Sequence, residues 1–183
     1  MRYSAEHKAE TRQRILAAAM ALLVREGPAE VTIHGVMRAA GLSHGGFYAH
    51  FESREALLAA AIDGATARAL AGLFGETDAP AAADPQDVIG RYLGRAHLAT
   101  ETGCPLPASC GGDLDGDAER ARRAAVTRYQ RALFAMAPDD STADALLALM
   151  VGGVAIARAR GGVEGEAVLR ACRRVARGLI RED

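Results

Sequence analysis

Apolar residues recur along this chain at the three- to four-residue spacing of an α-helix, from the first segment to the last. The clearest stripe is Ile15, Ala18, Ala19, Leu22 and Leu23, which share one face of a helix over 5–25. Gly and Pro residues divide the pattern, and no segment has the alternation of a strand. Helices are predicted over 5–25, 33–40, 44–50, 54–76, 86–102, 114–137, 141–160 and 164–180. With one short turn before residue 112, this is an all-α fold of about nine helices.

The composition is globular, with 50% apolar and 25% charged residues among 183. Aromatic residues are only 4% and Trp is absent, which favours closely packed helices over sheet. No apolar run has the length of a membrane span and no signal-peptide pattern opens the chain, so a cytoplasmic protein is expected. Three cysteines argue against a disulfide framework, and no Cys/His spacing predicts a zinc site. Neither a metal nor a cofactor is predicted.

The segment 32–51 has the layout of a helix-turn-helix motif, with two short helices joined at Gly41. Thr32 and Ser43 are predicted to cap the two helices. The net charge of the first 60 residues, with seven Lys/Arg and six Asp/Glu, is only +1, so charge alone does not predict DNA binding. Two glycines in the second helix would let its backbone approach the edge of a DNA groove.

Motifs in the first 60 residues are similar to the TetR family of one-component transcriptional regulators. The similarity lies in the segments Thr11–Ala19, Ala40–Ser43, Gly45–Phe51 and Ser53–Leu58. The resemblance implies an N-terminal three-helix DNA-binding head over 1–52 and a helical body over 53–183. It also implies eight residues that contact double-stranded operator DNA: Thr32, Arg38, Ser43, His44, Gly45, Tyr48, His50 and Arg54.

The resemblance implies a body that dimerises and binds a small molecule. The last two helices carry apolar seams, one of them at Val168, Cys172, Val175 and Leu179, and pairing them across a two-fold axis would give a four-helix bundle. Monomer core is the alternative explanation of these seams. An apolar or weakly polar effector is expected, in a cavity whose walls include Tyr92, His97, Cys104, Leu106, Tyr129, Leu133 and Phe134.

Cys104 carries a separate hypothesis. With Pro105 at the first helical position, Cys104 would cap a short helix, and the helix dipole would lower the pKa of its thiol. A thiolate there could respond to oxidants or electrophiles, with Cys110 able to close a disulfide. A small buried cap of no chemical importance is the alternative.

These features together predict a homodimeric repressor that a small-molecule effector releases from its operator. A small helical enzyme is one alternative, against which stands the absence of any nucleophile–base pair, phosphate loop or metal cluster in the sequence. An architectural DNA-binding protein without an effector is the other. The protein is expected not to be an enzyme.

Overall fold

The computed structural model describes residues 5–75, 83–98, 103–110 and 113–180. Over these residues the chain forms α-helices and two short 3₁₀ helices, Pro28–Glu30 and His44–Ala49, without a strand. The α-helices are α1 Ala5–Glu26, α2 Ile33–Ala39, α3 Arg54–Phe74, α4 Pro85–Tyr92, α5 Arg95–Leu98, α6 Leu106–Ser109, α7 Gly116–Phe134, α8 Asp140–Arg160 and α9 Gly162–Leu179. The predicted all-α class is confirmed.

Side-chain caps fix the starts of the helices in the head. Thr32 Oγ1 accepts a hydrogen bond from the Gly35 amide at 3.1 Å, as the sequence predicted. Ser53 Oγ likewise accepts from the Ala56 amide at 3.0 Å at the start of α3. Each cap satisfies one of the amides that a first helical turn leaves unpaired, so these boundaries follow from local chemistry.

The helix predicted over 86–102 is interrupted in the structure. α4 ends at Tyr92 and α5 begins at Arg95. A Cβ atom at Gly94 would lie 2.9 Å from the Gly90 carbonyl oxygen, so this tight bend requires glycine. Residues 99–102 of that prediction lie outside the described residues.

The core runs continuously from head to body. α1 packs on α3, α3 packs on α7, and α8 packs on α9. Leu57, Leu58 and Ile62 on α3 are almost fully buried between these helices. Because α3 begins at the head and ends in the body, about 30 Å away, it connects the two mechanically. The division at residue 52 stays a prediction.

Candidate nucleic-acid interface and buried polar cluster

The two elements of the helix-turn-helix are joined by a fully hydrogen-bonded turn. Gly41 has φ +68°, its amide donates to the Arg38 carbonyl, and the Leu42 amide donates to the Met37 carbonyl. This double closure is the Schellman motif, in which glycine takes the left-handed position. Arg14 of α1 adds a hydrogen bond to the Ala40 carbonyl at 2.8 Å. The turn therefore holds the second element at a fixed angle to α2.

The second element is a 3₁₀ helix, His44–Ala49, whose inner side is anchored by Phe47. Phe47 is fully buried, packs edge-to-face on Tyr48, and stacks on Phe51. The predicted cap at Ser43 is wrong, because the Ser43 side chain makes no capping hydrogen bond. The exposed Ser43 hydroxyl thus makes no hydrogen bond to the first turn of this helix.

The predicted contact residues of this motif form one exposed surface, which we call the recognition surface. The Tyr48 side chain is 64% exposed. The other exposed members are Thr32, Arg38, Ser43, His44 and Gly45. His50 and Arg54 are half-buried at its margins. The structure thus brings six of the eight predicted residues to solvent on two adjacent elements.

Nothing in the fold requires glycine at position 45. Its φ is not positive, and a Cβ built on it would meet nothing within 4 Å. An unneeded glycine in a helical segment costs about 0.5–1 kcal/mol relative to alanine. This cost is consistent with an external surface that must approach the backbone at this position.

A basic groove of about 440 Å³ borders the recognition surface, between the start of α1 and the 3₁₀ helix. His7, Lys8, Thr11 and His50 line it on its polar side. The Nδ1 atom of His50 is buried and has no hydrogen-bond partner in the described part of the chain. Burial, and then the positive charges of Lys8, Arg12 and His7, lower the pKa of His50. The groove is therefore suited to an anion, and the α1 contribution to it was not foreseen from the sequence.

Arg54 lies differently from the prediction that it holds a phosphate. Its Nε donates to the Val31 carbonyl at 2.8 Å and its Nη2 to the Pro28 carbonyl at 2.6 Å. Its Nη1 lies 3.8 Å from a carboxylate oxygen of Glu55. The guanidinium thus ties the start of α3 to the segment between α1 and α2. It orients the head and is not left free for a ligand.

Four of the seven predicted ligand residues meet in the interior of the body. Tyr92 packs on His97 with ring centroids 4.3 Å apart and on Tyr129, edge to face, at 6.4 Å. The Cys104 amide donates to His97 Nε2 at 3.2 Å. Burial, and then the charge of Arg158, lower the pKa of His97 to about 4, so His97 is neutral at physiological pH. We call Tyr92, His97, Cys104, Tyr129 and Arg158 the polar cluster.

Arg158, in the last turn of α8, is the member that the sequence reasoning missed. It is four residues from Val154 and eight from Met150, both buried, so its place on the inner stripe could have been noticed. Its Nη1 lies 3.4 Å from the Val24 carbonyl, whereas Nε and Nη2 are buried without a partner among the described residues. The hydroxyls of Tyr92 and Tyr129 are also buried without a well-formed hydrogen bond.

Cys104 does not have the environment that the reactive-thiol hypothesis requires. The residue is fully buried, and burial raises the pKa of its thiol despite the nearby hydroxyls of Tyr129 and Tyr92. Pro105, rather than Cys104, occupies the cap position of α6, although Cys104 Sγ does accept from the Leu106 amide at 3.4 Å. The predicted lowering of its pKa is wrong, because burial outweighs a helix of only four residues.

The cysteines should therefore differ sharply in reactivity. We expect an aromatic disulfide reagent to modify exposed Cys110 rapidly and Cys104 only after unfolding. Absorbance of the released thiol would be followed in the wild type, Cys110→Ser and Cys104→Ser. Cys110→Ser should remove the fast phase and Cys104→Ser should retain it. A fast phase lost in Cys104→Ser would restore the reactive-thiol hypothesis.

The other three predicted ligand residues lie outside the polar cluster. Leu106 and Leu133 are buried in the core. The Phe134 side chain is 38% exposed at the end of α7, so its predicted place in an interior wall is wrong. Over the described ranges, no group of three or more His, Cys, Asp or Glu side chains could hold a metal ion.

The last two helices keep an uncovered apolar face in the single chain. On α8 the inner stripe includes buried Leu146 and Met150, while Ile156 is 53% exposed. On α9 the predicted seam is also divided between partly buried and exposed positions. Cys172 is half-buried and lies so close to α8 that a Cβ at Gly153 would come within 2.9 Å of its Sγ. Val175 is 53% exposed.

Comparison with known proteins agrees with this architecture. Residues 15–61 match the family described as bacterial regulatory proteins, tetR family. A TetR-family regulator from Cytophaga hutchinsonii is 19% identical and superposes with a TM-score of 0.75 over 100% of both chains. The reduced form of E. coli NemR is 20% identical, with a TM-score of 0.75 over 95% of this chain and 98% of its own.

A TetR transcriptional regulator from Chloroflexus aurantiacus is 27% identical, with a TM-score of 0.71 over 93% of this chain and 94% of its own. No curated protein sequence is similar enough to this chain to count as a match.

Proposed function

We propose that this chain, whose residues 15–61 match the tetR family of bacterial regulatory proteins, is a homodimeric repressor released from operator DNA by a small-molecule effector. The observation that carries the proposal is the recognition surface. Its residues are exposed to solvent, and it borders a groove lined by Lys8, His7 and His50, whose basic groups suit a DNA phosphate. The second element would enter the major groove, with His44, Gly45 and Tyr48 nearest the bases.

The uncovered face of the last two helices supports dimerisation. Ile156 on α8 and Val175, Val163 and Leu179 on α9 are large apolar side chains left in water by the single chain. Pairing α8 and α9 with their copies would bury them in a four-helix interface. A two-fold dimer would also present two recognition surfaces to two half-sites on DNA.

Two helices, α3 and α8, are long and apolar enough to cross a membrane by length and composition alone. The apolar composition of α3 is explained by its place in the protein core, where it packs between α1 and α7. The apolar composition of α8 is explained by the proposed dimer interface, in which the partner would cover its remaining apolar surface. We therefore assign neither helix to a membrane and propose a cytoplasmic location.

The effector would act through α3, which begins at Arg54 and ends beside the body at Phe74. An effector that binds more tightly to one spacing of the two heads shifts the population towards that spacing. DNA affinity then falls by the ratio of the effector affinities for the two states. The burial of Cys104 favours a noncovalent effector over thiol modification.

Fluorescence anisotropy with the DNA upstream of the gene, and with a randomised pool from which bound sequences are selected, would test the proposal. We expect selection of a palindromic site with two half-sites, bound by two chains. Sequence-independent binding would favour an architectural protein instead. The absence of any selected sequence would overturn the proposal.

The affinity for operator DNA should depend on pH through the protonation of His50. The pKa of His50 is lowered in the free protein, and a phosphate in the groove would raise it, so binding takes up a proton. Affinity should therefore increase as the pH falls from about 8 to 6. His50→Gln should flatten this slope at constant ionic strength. His34→Gln, an exposed histidine on α2, is the control and should retain the slope. An equal slope in wild type and His50→Gln would contradict the assignment.

A further inference from the structure

The polar cluster contains more hydrogen-bonding capacity than its own residues satisfy. Nε and Nη2 of Arg158 are buried without a partner in the described part of the chain, and the buried hydroxyls of Tyr92 and Tyr129 have only the Cys104 thiol beside them. Buried polar groups without partners are rare in folded proteins, because each costs roughly 1–3 kcal/mol. Arg158 interacts electrostatically with Tyr92, Cys104 and His97, and an unpaired guanidinium edge among these groups points to a ligand.

The free edge of Arg158 identifies the chemistry of that ligand. Nη1 faces the Val24 carbonyl, so the two nitrogens left over are Nε and Nη2. These two carry parallel N–H bonds on one side of the guanidinium, which is the arrangement that binds both oxygens of a carboxylate. Tyrosine hydroxyls can donate to the same oxygens. A neutral ligand would leave the positive charge uncompensated.

The positions of the neighbouring residues reinforce this assignment. A Cβ on Gly103 would lie 2.6 Å from Arg158 Nη2, so this glycine makes the room that the guanidinium occupies. Neutral His97 adds no competing charge. His97 also lines an outer groove of about 500 Å³ whose other members include Arg68, Arg91 and Arg95. Arg95 is ion-paired with Glu166, so the groove serves only as an approach to His97.

We propose that the effector of this protein is a small molecule bearing a carboxylate, which Arg158 binds through Nε and Nη2 with hydrogen bonds from Tyr92 and Tyr129. The proposal rests on the proposed function in one respect, that the bound molecule is the effector. It differs from the sequence-based expectation of an apolar or weakly polar effector, because Arg158 places a positive charge in the polar cluster.

Thermal unfolding of the full-length protein, without DNA, is the test. The probes are sodium acetate, propionate, butyrate and benzoate, each with its uncharged amide, and sodium sulfate, at constant ionic strength. We expect at least one carboxylate to raise the Tm by about 5 °C at a hundredfold excess over its Kd, and its amide to have no such effect. Tyr92→Phe and Tyr129→Phe should each weaken binding about tenfold.

Arg158→Met is the decisive variant, because it removes a buried, partly unpaired charge. It should fold with an unchanged or higher Tm and should lose the response to the carboxylate. Arg160→Met, an exposed arginine at the end of the same helix, should keep the response. The proposal is overturned if no carboxylate raises the Tm of the wild type, if an amide or sulfate matches it, or if Arg158→Met responds like the wild type.

DNA binding by wild type and Arg158→Met is measured separately by anisotropy. We expect both to bind the same operator, and only the wild type to be released by the carboxylate. Because the thermal test contains no DNA, failure to find an operator would count against the proposed function and leave the carboxylate site unaffected. A carboxylate that binds at Arg158 without releasing DNA would overturn its role as effector.

Discussion

Replacing Gly45 by alanine is expected to reduce operator affinity by about tenfold or more, a loss of at least about 1.4 kcal/mol. The new methyl group would stand on the recognition surface, where it separates the backbone from the DNA groove. The fold should not suffer, because nothing lies within 4 Å of the added Cβ. We expect the free energy of unfolding to stay the same or rise by up to about 1 kcal/mol. Anisotropy titration and urea unfolding of the same preparation would measure both.

Gly72→Ala supplies the matched control for this substitution. Gly72 is exposed on α3, and a Cβ there also meets nothing within 4 Å. The variant should gain similar stability and bind DNA like the wild type. If Gly45→Ala kept full affinity, the exposed glycine would need another explanation and the recognition surface would have to be redrawn.

Placing a carboxylate at Ile156 should dissociate the dimer. In the proposed interface, Ile156→Glu would bury an unpaired charge against the partner, at a cost of several kcal/mol. Loss of the second head removes the gain from binding two half-sites together, so operator affinity should fall about a hundredfold. Light scattering after size exclusion would give the mass, and anisotropy the affinity. Val175→Glu tests the same face from α9.

Ala71→Glu adds the same charge at an exposed position of α3 and should leave both mass and affinity unchanged. Because Ile156 is 53% exposed in the single chain, Ile156→Glu should fold normally as a monomer. A dimer that survived both Ile156→Glu and Val175→Glu would show that the last two helices are not its interface.

The head is the part that local sequence patterns predicted well. Thr32 caps its helix as expected and Ser53 caps α3 in the same way, because an N-cap needs only a side-chain oxygen near its own backbone. Gly41 takes the turn position for an equally local reason. Ser43 failed as a cap because its segment forms a 3₁₀ helix packed through Phe47, and that packing is a tertiary property.

Charged side chains were predicted less well, because their partners are distant in sequence. Arg54 was assigned to a phosphate, yet it binds carbonyls 23 and 26 residues earlier in the chain. Cys104 was expected to be an ionised cap, yet α6 is short and the residue is buried beside two tyrosines. The electrostatic environment of a group depends on burial, which a linear pattern does not contain.

The sequence by itself determined the helices, their main boundaries, the helix-turn-helix and the similarity of the first 60 residues to the TetR family. Each of these depends on spacing within a few residues, where periodicity, caps and turn glycines act directly. Only the tertiary structure decided which atoms stay without partners. It brought Arg158 of α8 to Tyr92 of α4, which packs on Tyr129 of α7, and it divided the apolar seams of α8 and α9 between core and surface. These outcomes depend on how whole helices pack, because burial is fixed by neighbours that lie far apart along the chain.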